Sequence, residues 1–336
     1  MAGTGLPIYD PRRAIEMLRS VKPVRLFAIL FPLWDVETTA VQVESRPYEL
    51  MEKYVERGIV QGDLHTVEEL ARFFGLHQVM VQKILHLLSI IGHVTCVDER
   101  WEITELGQRS IAEGKRYVEQ EKRTRLYFDG FSSAPLQKGH YHREAVHILS
   151  PREAIEAQQL RRGGYRFRIM TGPSLWRSAA LQELEARVDR YDYNIPPEMY
   201  RIQVLSVQQA YLPMYIIEVD PGRLQGARYL VYTGIRGRRD AYLEGIVNRE
   251  RAIAVALSSE ERLEPYEVWS EWLDERGING ILPMEQADGI WQVVLPAAMF
   301  EGERAKFPLS KVGDYELRRG YFMQIWCDDP FLRCKA

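Results

Sequence analysis

Cysteine is scarce in this chain. Cys96, Cys327 and Cys334 are the only three in 336 residues, too few for a disulfide framework and in keeping with a reducing compartment. No apolar run reaches the roughly 20 residues that a membrane-spanning helix needs, and the N-terminus lacks the apolar core of a secretory signal. The expectation is a cytoplasmic protein with no membrane partner. A large excess of charge of one sign is missing too. The 44 basic and 47 acidic side chains leave a net charge of −3, which excludes a surface coated for nucleic acid but not a local basic patch. Internal repeats and low-complexity tracts are absent, as are the GxGxxG, Walker A, HExxH and GxSxG signatures. No catalytic residue, cofactor or metal follows from the sequence.

What the chain does have is length and ordinary globular texture. With 336 residues, 46% apolar and 27% charged, two or three domains with packed cores are expected. The stretch Tyr48–Val118 reads most clearly. In Val67–Phe74 the apolar residues Val67, Leu70, Ala71 and Phe74 recur at helical spacing. Thr66 and Glu69 have capping-box spacing, and Gly75 suits the stop. The next helix, His77–Ile91, places Met80, Ile84, Leu87, Leu88 and Ile91 on a core face and Gln78, Gln82, His86, Ser89 and His93 on the other. Val94–Val97 and Trp101–Thr104 are short strand-like runs around Asp98-Glu99-Arg100.

This plan resembles the winged helix superfamily, in particular its ArsR-like and MarR-like regulators. It is also similar to the N-terminal dimerisation domain of small-molecule O-methyltransferases, where an EELA…L…LL..L…G…ITELG pattern is common. The matching residues are Glu68-Glu69-Leu70-Ala71, Leu85, Leu87-Leu88, Gly92 and Ile103-Thr104-Glu105-Leu106-Gly107, within about a fifth of the chain. The resemblance implies a fold rather than a task, because these domains serve both DNA reading and protein association.

Charge is unevenly spread. Residues 46–113 carry 7 basic and 11 acidic side chains, residues 114–170 carry 12 and 6, and residues 171–336 carry 20 and 25. The basic excess follows the hairpin, in what reads as a long helix Glu105–Arg125 before a short strand Leu126–Phe131. Two readings stand side by side. In the first, double-stranded DNA is the partner: Gln78, Gln82, His86 and Ser89 face base edges, and Arg100, Lys115, Arg116, Lys122 and Arg123 meet phosphates. In the second, the domain is a non-enzymatic adaptor that docks a protein partner or self-associates. The bases then belong to a solvated helix paired with Glu119 and Glu121.

The remainder reads as an α+β domain with a mixed, mainly antiparallel sheet. Boundaries fall at 1–45 (a helix Pro11–Val21, a strand Val24–Phe31 and its partner Val41–Glu44 across a turn), 46–118, 119–164 as a basic connector, and 165–336. In the last segment strands are expected at Tyr165–Met170, Tyr200–Leu205, Met214–Val219, Arg228–Thr233, Trp291–Leu295 and Tyr321–Cys327. Helices are expected at Leu175–Tyr191, Asp240–Leu257 and Tyr266–Arg276. Trp269, Trp272, Trp291 and Trp326 are read as packing. His140, His142 and His147 lack the acidic or cysteine partners of a zinc site. Glu218, Asp220 and Asp240 match no nuclease spacing and read as ordinary loop carboxylates. The strand-to-helix loop Thr233–Asp240, with Arg236, Arg238 and Arg239, has the glycines and donors of an anion-binding loop.

Overall fold

A computed structural model describes residues 23–142, 146–159, 166–219, 229–235, 239–259, 263–287, 289–302 and 305–335. The expected helix Pro11–Val21 lies outside the described residues. Strand β1, Pro23–Arg46, organises everything else. It runs unbroken for 24 residues, so Val24–Phe31 and Val41–Glu44 are one strand and not partners across a turn. Its antiparallel neighbour along most of this length is β6, Met199–Val219, which joins the two separately expected strands Tyr200–Leu205 and Met214–Val219. On its other edge β1 exchanges neighbours. It pairs parallel with β5, Arg168–Ile169, at Ile29 and Leu30, and then antiparallel with β4, Arg116–Asp129, from Leu33 to Arg46. Pro32 sits at this changeover, where a missing N–H costs a strand least.

The expected helix Glu105–Arg125 does not form over its full length. Only Glu105–Glu113 is helical, and from Arg116 the chain is strand. The physical reason is a long-range partner: every residue of β4 pairs with β1, which outweighs local i,i+4 charge spacing. Residues 119–164 are therefore no mere connector, since β4 belongs to the sheet.

Along β1, residues of even number and odd number face opposite sides. Leu26, Ala28 and Leu30 pack on one side with Tyr215 and with Ala154 and Ala157 of the helix Pro151–Gln159. Phe27, Ile29, Phe31 and Leu33 pack on the other, with Leu243, Ile246, Val247, Ile253 and Leu257. Those five come from two helices, Ala241–Arg249 and Arg251–Ser258, where one helix was expected. Further out, Val36, Ala40, Leu126 and Phe128 are covered by Ala180, Leu181 and Leu184 of the helix Ala179–Glu185. Two bulges bend β6 against β1, one of them around Arg201, whose φ is +53°.

At one edge β6 pairs with β7, Tyr229–Tyr232; in the other direction the sheet continues through β11, Tyr321–Cys327, which also pairs with β10, Tyr315–Arg318, to β9, Trp291–Leu295, and β8, Met284–Glu285. The β9 and β11 boundaries are those read from sequence. The helix Pro265–Glu275 buries Trp269 and Trp272 against this end, and Trp291 and Trp326 pack against the same cluster. The class is α+β, with a mixed sheet in which antiparallel pairs predominate. Among the described residues no single helix is long and apolar enough to cross a membrane.

Between β1 and β4 the chain builds a separate helical unit. Helix α1 is Leu50–Gly62, α2 Val67–Phe74 and α3 Gln78–Ile90; the hairpin β2–β3 is Val94–Val97 and Arg100–Ile103; α4 is Glu105–Glu113. Thr66 and Glu69 form the expected capping box, with the Glu69 N–H donating to the Thr66 hydroxyl at 3.2 Å and the Thr66 N–H to the Glu69 carboxylate at 2.9 Å. Gly75 ends α2 at φ +62°.

Candidate interaction face of the helical unit

Helices α2 and α3 meet at 117° across the short turn Gly75-Leu76-His77. The unit's core is Val55, Ile59, Leu70, Ala71, Val81, Ile84, Leu85, Leu88 and Val94. On α3 this differs from the expected core face. Ile84 and Leu88 are buried as expected, but Val81 and Leu85 replace Met80 and Leu87, and Ile91 is only partly buried. The helix is rotated about its axis. Its sequence has apolar residues nearly all round, so periodicity alone left two faces to choose between.

The consequence is an unusual outer surface. Leu87 is 51% exposed and Ile90 67%, and Val79 and Met80 are about half exposed. Phe73, from the adjoining end of α2, is 67% exposed. Gln78, Gln82, His86 and Ser89 are exposed on the same helix, so the four residues expected to face bases do reach the surface, alternating with apolar ones. His93 is removed from that stripe, because it is fully buried.

His93 is instead part of a junction between the unit and the sheet. Its Nδ1 lies 2.5 Å from Glu56 Oε1, and its Nε2 meets the Tyr117 carbonyl on β4 and, at 3.3 Å, the Ser110 hydroxyl. A carbonyl only accepts, so Nε2 carries a proton. Tyr48 donates its hydroxyl to Glu56. Burial, and then the Glu56 carboxylate, push the Tyr48 hydroxyl well above its usual value. Sequence reading missed this network because its members are scattered from Tyr48 to Tyr117.

The residues assigned to phosphates do not gather beside α3. Arg100 and Lys115 are exposed. Arg116 is turned inward and forms an ion pair with Glu52 at 3.1 Å. Lys122 is paired with Glu44. Arg123 is exposed on β4, seven residues from Arg116, a strand length of about 23 Å. The expected cluster was a product of placing 105–125 on one helix.

No family model, curated protein or solved structure matches the chain. The hairpin turn is two residues, Asp98 and Glu99, both at positive φ (51° and 65°), with Arg100 already in β3. Exposed Asp98, Glu99 and Glu102 against Arg100 alone give the hairpin a net charge of −2. Such a tip repels a phosphate backbone.

Of the anion-binding loop, Arg236 and Arg238 lie outside the described residues, and Arg239 forms an ion pair with Glu244. Asp220 also lies outside them. Asp240 is not a loop carboxylate but a buried one, which corrects the sequence reading. It caps the helix Ala241–Arg249 through the Leu243 N–H (3.1 Å) and accepts from Thr233 (2.8 Å) and His140 (2.8 Å). Burial pushes the Asp240 carboxyl up, but the His140 hydrogen bond and charge, with the Leu243 and Thr233 donors, outweigh it and hold the group below its usual value. Among the described residues no set of three or more His, Cys, Asp or Glu is placed to hold a metal.

Proposed function

We propose that residues 46–118 form a winged helix unit that docks another protein, making the chain a non-enzymatic adaptor in an assembly. The carrying observation is the exposure of Phe73, Val79, Met80, Leu87 and Ile90 across one outer surface. Scattered apolar residues need no explanation, but a contiguous group on one helix and the end of its neighbour favours burial against a partner. Apolar area gains about 25 cal/mol per Å² when it leaves water. The acidic hairpin supplies orientation: the matching surface is apolar opposite α3 and basic opposite Asp98, Glu99 and Glu102.

A photo-crosslinking residue at position 87, in the full chain in its native cell, tests this. A discrete protein adduct that Ile90→Glu abolishes supports docking, and its absence overturns it. A second reading, DNA binding, is favoured by one specific feature, the outward-facing Gln78, Gln82, His86 and Ser89 on a helix set at a helix-turn-helix angle. It predicts duplex affinity that falls steeply with salt and falls again in Gln82→Ala with Lys83→Ala. No duplex binding at low salt removes it.

A further inference from the structure

Where the helix-covered part of the sheet gives way to the open part of β1 and β4 there is a cleft of about 700 Å³. It is lined by Glu37 of β1, by Arg123 and Tyr127 of β4, and by Tyr141, His147 and Glu153. That volume suits a ligand the size of a nucleotide. The wall charges, Glu37 and Glu153 against Arg123 and Arg125, cancel in number but are not all paired with one another. Glu153 is committed to Ser150, accepting from its N–H at 2.8 Å and its hydroxyl at 2.7 Å. The neighbouring Arg125 is drawn toward Asp35 at 3.4 Å. His140, also on the wall, is satisfied on both ring nitrogens by Gln137 and Asp240.

Arg123 and His147 differ from these. Neither has an ion pair among the described residues, though the His147 charge, after the Ser150 hydrogen bonds, helps hold the Glu153 carboxyl below its usual value, and both are exposed to the cleft. The rings of Tyr127 and Tyr141 touch, with centroids 5.2 Å apart, and give the same space an aromatic wall. Glu37, which accepts from Ser206 at 3.3 Å, retains oxygen lone pairs for a second donor.

We propose that this cleft binds a small organic anion of nucleotide size, its phosphate or carboxylate held by Arg123 and His147 and its hydroxyl groups donating to Glu37. Arginine suits such a group because its planar donors match paired oxygens. The site is separate from the α3 surface, so it stands or falls independently of the docking proposal.

Calorimetric titration of the full chain at low salt with adenosine monophosphate, ribose 5-phosphate and citrate tests it. The expected result is submillimolar binding of at least one probe, weakened about tenfold or more in Arg123→Gln and in His147→Gln. Preference for the phosphates or for citrate identifies the anionic group. Arg152→Gln, an exposed helix position paired with Glu156, should leave affinity unchanged. Failure of all three probes overturns the proposal, and so does equal weakening in Arg152→Gln, which would reflect general charge. Circular dichroism of each variant separates lost binding from lost fold.

Discussion

Replacing Gly107 by alanine tests the packing of the helical unit at its tightest point. Gly107 is the last residue of the Ile103–Gly107 stretch and lies in the first turn of α4. A Cβ there would sit 2.4 Å from the His93 carbonyl oxygen and 2.8 Å from the Ile103 side chain. The carbonyl has little room to withdraw, because it accepts from the Thr104 N–H at 2.9 Å and the Thr104 hydroxyl at 3.1 Å. Overpacking a rigid site costs about 1–3 kcal/mol, and each hydrogen bond stretched or lost about 1 kcal/mol. Alanine returns at most about 1 kcal/mol of helix propensity. The net expectation is a loss of about 2 kcal/mol, equivalent to amide exchange in α3 and the hairpin about 30-fold faster. Gly245 supplies the opposite sign. It lies mid-helix with nothing within 4 Å of an added Cβ, so Gly245→Ala should stabilise by about 0.5–1 kcal/mol. Hydrogen exchange resolved along the chain measures both. Unchanged or slower exchange in Gly107→Ala would refute the steric argument.

Two further perturbations address charge and turn strain. Because the Asp240 carboxyl titrates below its unfolded value of 3.8, its stabilisation is present above about pH 4 and disappears as pH falls through the folded value. Acid unfolding should therefore be shallower in Asp240→Asn, which should also be less stable at pH 7 by about 2 kcal/mol because His140 and Thr233 lose a charged acceptor; an unchanged acid limb would count against the assignment. Glu99 holds a left-handed φ of +65°, so Glu99→Gly should raise stability by about 1 kcal/mol in urea unfolding, and a loss would show that its side chain contributes more than its backbone costs.

What could be read from sequence was what local chemistry decides. The capping box at Thr66, the stop at Gly75, the hairpin and the strands Trp291–Leu295 and Tyr321–Cys327 follow from caps, turns and β-branched or aromatic runs. Two failures share one cause. Residues 114–125 alternate basic and acidic side chains at helical spacing, and only pairing with β1, some 80 residues away, makes them a strand. On α3 the sequence offered more apolar residues than one core face holds, and contacts with α1, α2 and β2 selected Val81 and Leu85 over Met80 and Leu87. The candidate interaction surface is what that selection left outside. The cleft was equally illegible, because Glu37 and Arg123 come together only through β1–β4 pairing and His147 reaches the same cleft from a segment outside the strands.

The insertion of the helical unit between β1 and β4 bears on the order of folding. Pairing these strands directly would require closing a loop of about 70 residues, an entropic cost that delays such contacts. The unit's own contacts are short in sequence, and its two ends emerge beside one another where Arg46 pairs with Arg116. Folding of the unit first would present both strands in register, as a preformed turn does. The longest ribbon of the sheet is then expected to zip from that end toward Leu33 and Asp129, so the unit proposed above to dock a partner is also the one that brings the two strands of its scaffold together.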